Sequence, residues 1–134
     1  MSRMIFINLA VADVAKSRLF YQALGFTIEE AFSNEEAACV VISAQIYVMI
    51  LHRDYFQSFT AQPVGENAAA VSSLYALSCD NRDEVDKMMT AALAAGGSEP
   101  VPARDLGFMY NRSFTDLDGH MFEPFWMDPA AATG

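Results

Sequence analysis

Residues 8–26 read NLAVADVAKSRLFYQALGF, and the punctuation of this stretch decides how the chain folds. An apolar run that begins at Met4 ends at Asp13, whose short carboxylate suits a helix N-cap. Val14, Ser17, Phe20 and Leu24 then recur about one helical turn apart, and Gly25 suits the position just past a helix end. Beyond it lie three strand-like runs, FTIEEAF (26–32), AACVVIS (37–43) and IYVMILH (46–52), separated by the polar signals SNEE and SAQ. The unit is strand, helix, three strands.

From Val71 the pattern restarts. VSSLYALSCD (71–80) reads as a strand ending at Asp80, and NRDEVDKMMTAALAAGG (81–97) carries Val85, Met88, Met89 and Ala92 at helical spacing. Asp80 with Asp83 resembles a capping box with Asp in place of Glu, and Gly96 ends the helix. A short strand near SEPVPA, limited by its two prolines, then FMYNRSF (108–114) and HMFEPFWM (120–127), complete the second copy. Aligning Asp13 with Asp80, and SAQ with the turn DLDG, superposes the halves as a repeat of about 60 residues. The expectation is an α+β fold of a single domain over 1–134: module one 1–52, connector 53–70, module two 71–134.

These stretches, with GFMYNRSFTDLDGHMFEPFWMD (107–128), resemble the vicinal oxygen chelate superfamily, which includes glyoxalase I, bleomycin-resistance proteins and extradiol dioxygenases. The resemblance covers nearly the whole chain. It implies two tandem βαβββ modules forming curved mixed sheets around a cavity, with helices outside. It also implies a homodimer. In the metal-dependent members, ligands project inward from the first and last strands of each module.

Strand alternation selects the inward side chains. If Ile5, Ile7, Leu9 and Val11 face the helix, then Phe6, Asn8 and Ala10 face the cavity. Counting back from the caps puts Asn8 and Tyr75 at the first-strand ligand positions, and the turn alignment puts Met49 and Glu123 at the last-strand ones. Only Glu123 of that quartet is a strong divalent-metal ligand, so no metal and no cofactor is expected. His52 and His120 fall on the opposite parity and read as surface or strand-end histidines. Asp116 and Asp118 read as turn residues, because the glycine follows too early for an EF-hand loop.

Glu123 lies among Met121, Phe122, Pro124, Phe125 and Trp126, where a carboxylate is costly to desolvate unless it is paired, protonated or bound. The expected cavity is reached by Phe6, Asn8, Tyr47, Met49, Leu51, Ser73, Tyr75, Leu77, Met121, Glu123 and Phe125. Three roles are open to Glu123: orienting a small ligand together with Asn8 and Tyr75, acting as a catalytic base with a pKa raised by burial, or satisfying a neighbouring donor. Arg112 either pairs with Glu123, meets an anionic ligand group, forms a rim salt bridge or stays exposed to solvent. The aromatic residues of DYFQSF in the connector suit a lid, an interface or plain packing.

Eight basic against seventeen acidic residues give a net charge of −9, which disfavours nucleic acid and anionic membrane surfaces as partners. The opening MSRMIFINLA lacks a signal-peptide core and no run approaches the roughly 18 apolar residues of a membrane span. A cytoplasmic protein is expected. Cys39 and Cys79, in apolar settings, read as buried free thiols. Two functions from different classes remain: a binding protein that holds a small, partly apolar ligand, and a glyoxalase-like lyase, isomerase or dioxygenase using Glu123 as metal ligand or general base.

Overall fold

The computed structural model describes residues 2–66 and 68–132. The chain divides into two compact units, residues 1–66 and 67–134, each an α+β arrangement around one mixed sheet.

In the first unit, β1 (Ile5–Val11) leads to α1 (Val14–Ala23), β2 (Thr27–Ile28), a 3-10 turn (Glu30–Phe32), β3 (Ala37–Val41), β4 (Ile46–His52) and α2 (Arg53–Gln57). The sheet order is β1-β4-β3-β2, with β1 parallel to β4 and the other pairs antiparallel. Asp13 caps α1 by accepting from the Lys16 N–H at 3.0 Å, and Gly25 takes φ +99° just past the helix, as the sequence predicts. Leu9, Val11, Ala38, Val40, Val48 and Ile50 share one face by register and are buried. The buried Val14, Phe20 and Tyr21 of α1 complete that core. The strand expected over 26–32 is cut short, because the Glu29 carboxylate accepts from the Ala31 N–H and starts the 3-10 turn instead. Residues 53–57, read as the start of a connector, are helical, with the His52 Nδ1 accepting from the Asp54 N–H at 3.3 Å.

The second unit runs β5 (Leu74–Ser78), α3 (Arg82–Ala94), β6 (Arg104–Asp105), β7 (Met109–Asn111), β8 (Phe114–Thr115), β9 (Met121–Met127) and α4 (Pro129–Ala132). The order is β5-β9-β7-β6, with β8 also on β9 and β5 parallel to β9. β7 and β8 pair with β9 in one continuous register, Asn111 opposite Phe125 and Phe114 opposite Phe122. They are a single strand interrupted at Arg112 and Ser113. The cause is Pro124: it accepts from the Arg112 N–H at 3.2 Å but has no N–H to return.

Two expectations shift here. Ser98 makes only an isolated bridge to Thr115, and the first short strand after α3 begins at Arg104, past Pro100 and Pro102. The cap of α3 is Asn81, not Asp80. Its Oδ1 accepts from the Glu84 N–H, and the Glu84 carboxylate reaches back to the Asp80 N–H, both at 2.8 Å.

Candidate functional site

Capping by Asn81 rather than Asp80 moves the first strand of the second unit by one residue. A one-residue slip exchanges the two faces of a strand. Ala76, not Tyr75, is the Cα partner of Glu123; Tyr75 is opposite Phe122 and Leu77 opposite Pro124. Tyr75 lies on the helix-side face, its ring centroid 5.2 Å from that of Phe122. Leu77 shares that face, and Ser73 lies before the strand begins. Met121, Glu123 and Phe125 do alternate onto one common face, opposite the buried Phe122.

Arg112 also turns away from Glu123, because it is opposite Pro124 in the ladder. Its guanidinium, 20 % exposed, forks onto Glu99 at 2.8 and 2.9 Å and reaches Asp86 of α3 at 2.9 Å. The Tyr110 hydroxyl donates to the same Asp86 oxygen at 2.6 Å. That hydroxyl first, and then Arg112, hold the Asp86 carboxyl below the usual range; Arg112 does the same for Glu99. Arg82, at the start of α3, holds Asp105 with two bonds of 2.8 and 3.0 Å and lies 5.1 Å from both the Tyr110 and Trp126 ring centroids. The helix side of the sheet is therefore charge-matched and closed by cross-links.

The other face differs. Arg104 pairs with Asn111, Asn111 with Phe125, and continuing the register sets Ser113 opposite Glu123. A cavity of about 270 Å³ is lined by Val101, Pro102, Arg104, Asn111, Arg112, Ser113 and Glu123. Among the described residues, Arg104 and Glu123 form no ion pair and the side chains of Arg104, Asn111 and Glu123 no hydrogen bond. The Ser113 hydroxyl, in a residue only 2 % exposed, is without a partner. Glu123 itself is half-buried. Arg104, Asn111 and Ser113 were not legible as site residues; alternation through MYNRS does place Asn111 and Ser113 together and Arg112 opposite, once the strand is recognised.

In the first unit, the face away from α1 carries Phe6, Asn8, Tyr47 and Met49. Phe6 stacks on Tyr47 with centroids 4.7 Å apart and rings 10° from parallel, and remains 42 % exposed. The Asn8 amide donates to the Phe6 carbonyl at 3.1 Å. Leu51 and Ala10, further along the same face, are buried.

The residues at the ligand positions that the resemblance implies are Asn8 paired with Met49 in one unit and Ala76 paired with Glu123 in the other. Neither an amide with a thioether, in the first unit, nor a methyl group with a single carboxylate, in the second, fits a divalent metal. No three His, Cys, Asp or Glu among the described residues are grouped to hold one. His52 is the α2 cap. His120 is not on the surface: at 4 % exposure it lies buried at the start of β9. Its N–H donates to the Asp116 carboxylate, which also accepts from the Asp118 N–H, so Asp116 organises the turn as expected. Cys39 and Cys79 are buried free thiols, and burial, aided by Glu84, pushes the Cys79 thiol up to about 11. No helix among the described residues is long and apolar enough to cross a membrane.

Residues 3–43 match the family model "Bleomycin resistance protein-like N-terminal". No curated protein matches the chain. Among solved structures, a hypothetical protein of S. aureus, SA1046, is 28 % identical with a TM-score of 0.79 over 94 % of both chains. A glyoxalase-related enzyme from Fulvimarina pelagi is 22 % identical with a TM-score of 0.78, over 94 % of this chain and 88 % of its own. A glyoxalase/bleomycin resistance protein/dioxygenase family enzyme from Burkholderia phytofirmans PsJN is 16 % identical with a TM-score of 0.76, over 94 % of this chain and 99 % of its own.

Proposed function

We propose that this chain, whose residues 3–43 match the bleomycin-resistance-like model and whose fold is that of glyoxalase-related structures, is a small-molecule-binding protein of the vicinal oxygen chelate superfamily, of the glyoxalase/bleomycin-resistance type. Its site is the Glu123 face of the second sheet, and it works as a cytoplasmic homodimer without a resident metal. One observation carries the reading: a carboxylate and a guanidinium, each unpaired among the described residues, line one cavity with Ser113, whose buried hydroxyl has no partner. Leaving a buried hydroxyl unsatisfied costs about 1–3 kcal/mol, and a ligand that supplies the missing bond recovers it. Val101 and Pro102 offer apolar contact for the rest of such a molecule. Phe6, Asn8, Tyr47 and Met49 form a second, aromatic surface, on which a flat apolar group would stack.

The same free carboxylate suits a base that removes a proton from a bound carbon acid, so binding and turnover are measured together. Thermal unfolding of the wild type and of Glu123→Gln is followed with a library of small, partly apolar compounds. Compounds that raise Tm in the wild type and not in the variant support the binding reading. Turnover of a hemithioacetal or catechol that Glu123→Gln abolishes replaces it with an enzyme. Retention of one equivalent of Ni, Zn, Mn or Fe per chain after dialysis overturns the metal-free assignment.

A further inference from the structure

The binding reading above is the premise of a sharper inference about what the cavity takes. Its polar groups fall into two pairs on the sheet. Arg104 and Asn111 are Cα partners across β6 and β7, and both offer N–H donors. Ser113 and Glu123 face each other by continuation of the β7–β9 register, and both accept. The pairs are two residues apart along β7, about 7 Å at the usual rise, and lie on its two sides, one toward β6 and one toward β9, so that their centres are about 8 Å apart. Although they line one cavity, Arg104 and Glu123 do not neutralise each other, and the Ser113 hydroxyl is buried with nothing to bond.

We propose that the cavity is a subsite for a zwitterion whose ammonium and carboxylate lie about 8 Å apart, an ω-amino acid. The ammonium bonds Glu123 and Ser113, which suits its three donors and no acceptor. The carboxylate sits on the Arg104 guanidinium and the Asn111 amide. A monoanion or a monocation meets one pair and leaves the opposite charge uncompensated. An α-amino acid carries both charges on one carbon and cannot span the pairs.

The test is calorimetric titration of the full-length chain with ε-aminocaproate, δ-aminovalerate, glycine, hexanoate and hexylamine. The ω-amino acids are expected to bind one per chain and at least about tenfold more tightly than glycine, the scale of one charge-assisted bond. Arg104→Gln should weaken them about tenfold and leave hexylamine no weaker, since it removes a like charge; Glu123→Gln should weaken them and hexylamine and leave hexanoate no weaker, for the same reason. Circular dichroism confirms that both variants fold, which is expected because Arg104 is exposed and Gln is isosteric with Glu. Equal affinity for glycine, or binding indifferent to both substitutions, overturns the inference. If library compounds bind in a Glu123-dependent way while the ω-amino acids do not, the zwitterion class falls and the binding reading stands. If neither series binds, both fall.

Discussion

The two faces of the second sheet are made from the same strands and handle charge in opposite ways. Toward α3, Arg112 is shared by Glu99 and Asp86, Arg82 holds Asp105, and Tyr110 donates to Asp86. On the other face, Arg104 and Glu123 share a cavity without an ion pair, beside an orphaned hydroxyl. A residue pair one step apart, such as Arg112 and Ser113, therefore belongs to two different tasks. The first face holds the unit together, and the second is left incomplete in a way that a ligand can complete.

Breaking the matched face should give the largest effect. Arg112→Met removes the fork onto Glu99 and the bond to Asp86, and leaves two partly buried carboxylates 13 positions apart in sequence close together. The expected loss is about 2 kcal/mol in urea unfolding at neutral pH, a figure reduced for the partial exposure of Asp86 and Glu99. Both carboxyls have folded-state values lowered below the ordinary ones. Their contribution is therefore present above the ordinary carboxylate range, about 4, and is lost as the pH falls through the lowered folded values. The stability gap between wild type and variant should shrink steadily below about pH 4. A gap that stays constant down to acid unfolding contradicts the charge-matched account and leaves only lost packing.

Next in size is the register itself. Tyr75 packs against Phe122 on the helix side, so Tyr75→Ala should cost about 1.5 kcal/mol, less than for a fully buried aromatic because Tyr75 is half-buried. Ala76→Ser, on the Glu123 face, should change stability by less than about 0.5 kcal/mol. The reverse order would restore Tyr75 to the cavity face.

That pair of residues also marks where the sequence stops being readable. The repeat, the Asp13 cap, the two helix-ending glycines and the alternation in β1, β4 and β9 followed from local chemistry, since each depends on a few adjacent residues. The α3 cap did not. Asp80, Asn81 and Asp83 are all competent caps, and only the back-reach of Glu84 to the Asp80 N–H chooses between registers. Arg104 entered the site through the pairing of β6 with β7, and the Arg112 guanidinium turned from Glu123 because Asp86 and Glu99, 26 and 13 residues away, compete for it. Long-range partners of charged side chains carry no local signal. The one-strand break at Pro124 is visible in sequence only when the partner strand is already known.

Two smaller effects sharpen the open face. Ser113→Ala deletes a buried hydroxyl with no partner, so the ligand-free protein should gain about 1 kcal/mol. If it loses stability instead, an ordered water already serves that oxygen, and the hydroxyl is structural.

Glu123→Gln should do least, within about 0.5 kcal/mol of wild type without ligand, because the carboxylate has no internal bond or ion pair to lose among the described residues. A half-buried group kept for stability behaves otherwise: replacing it removes an interaction and the loss appears in the unfolding midpoint. Measuring the variant by urea unfolding with and without bound ligand therefore separates the two roles of a carboxylate at this position. Near-identical midpoints without ligand, diverging once ligand is added, are what a face built for binding requires. A loss above about 2 kcal/mol in the free protein would move Glu123 to the same category as Arg112 and erase the contrast between the two faces.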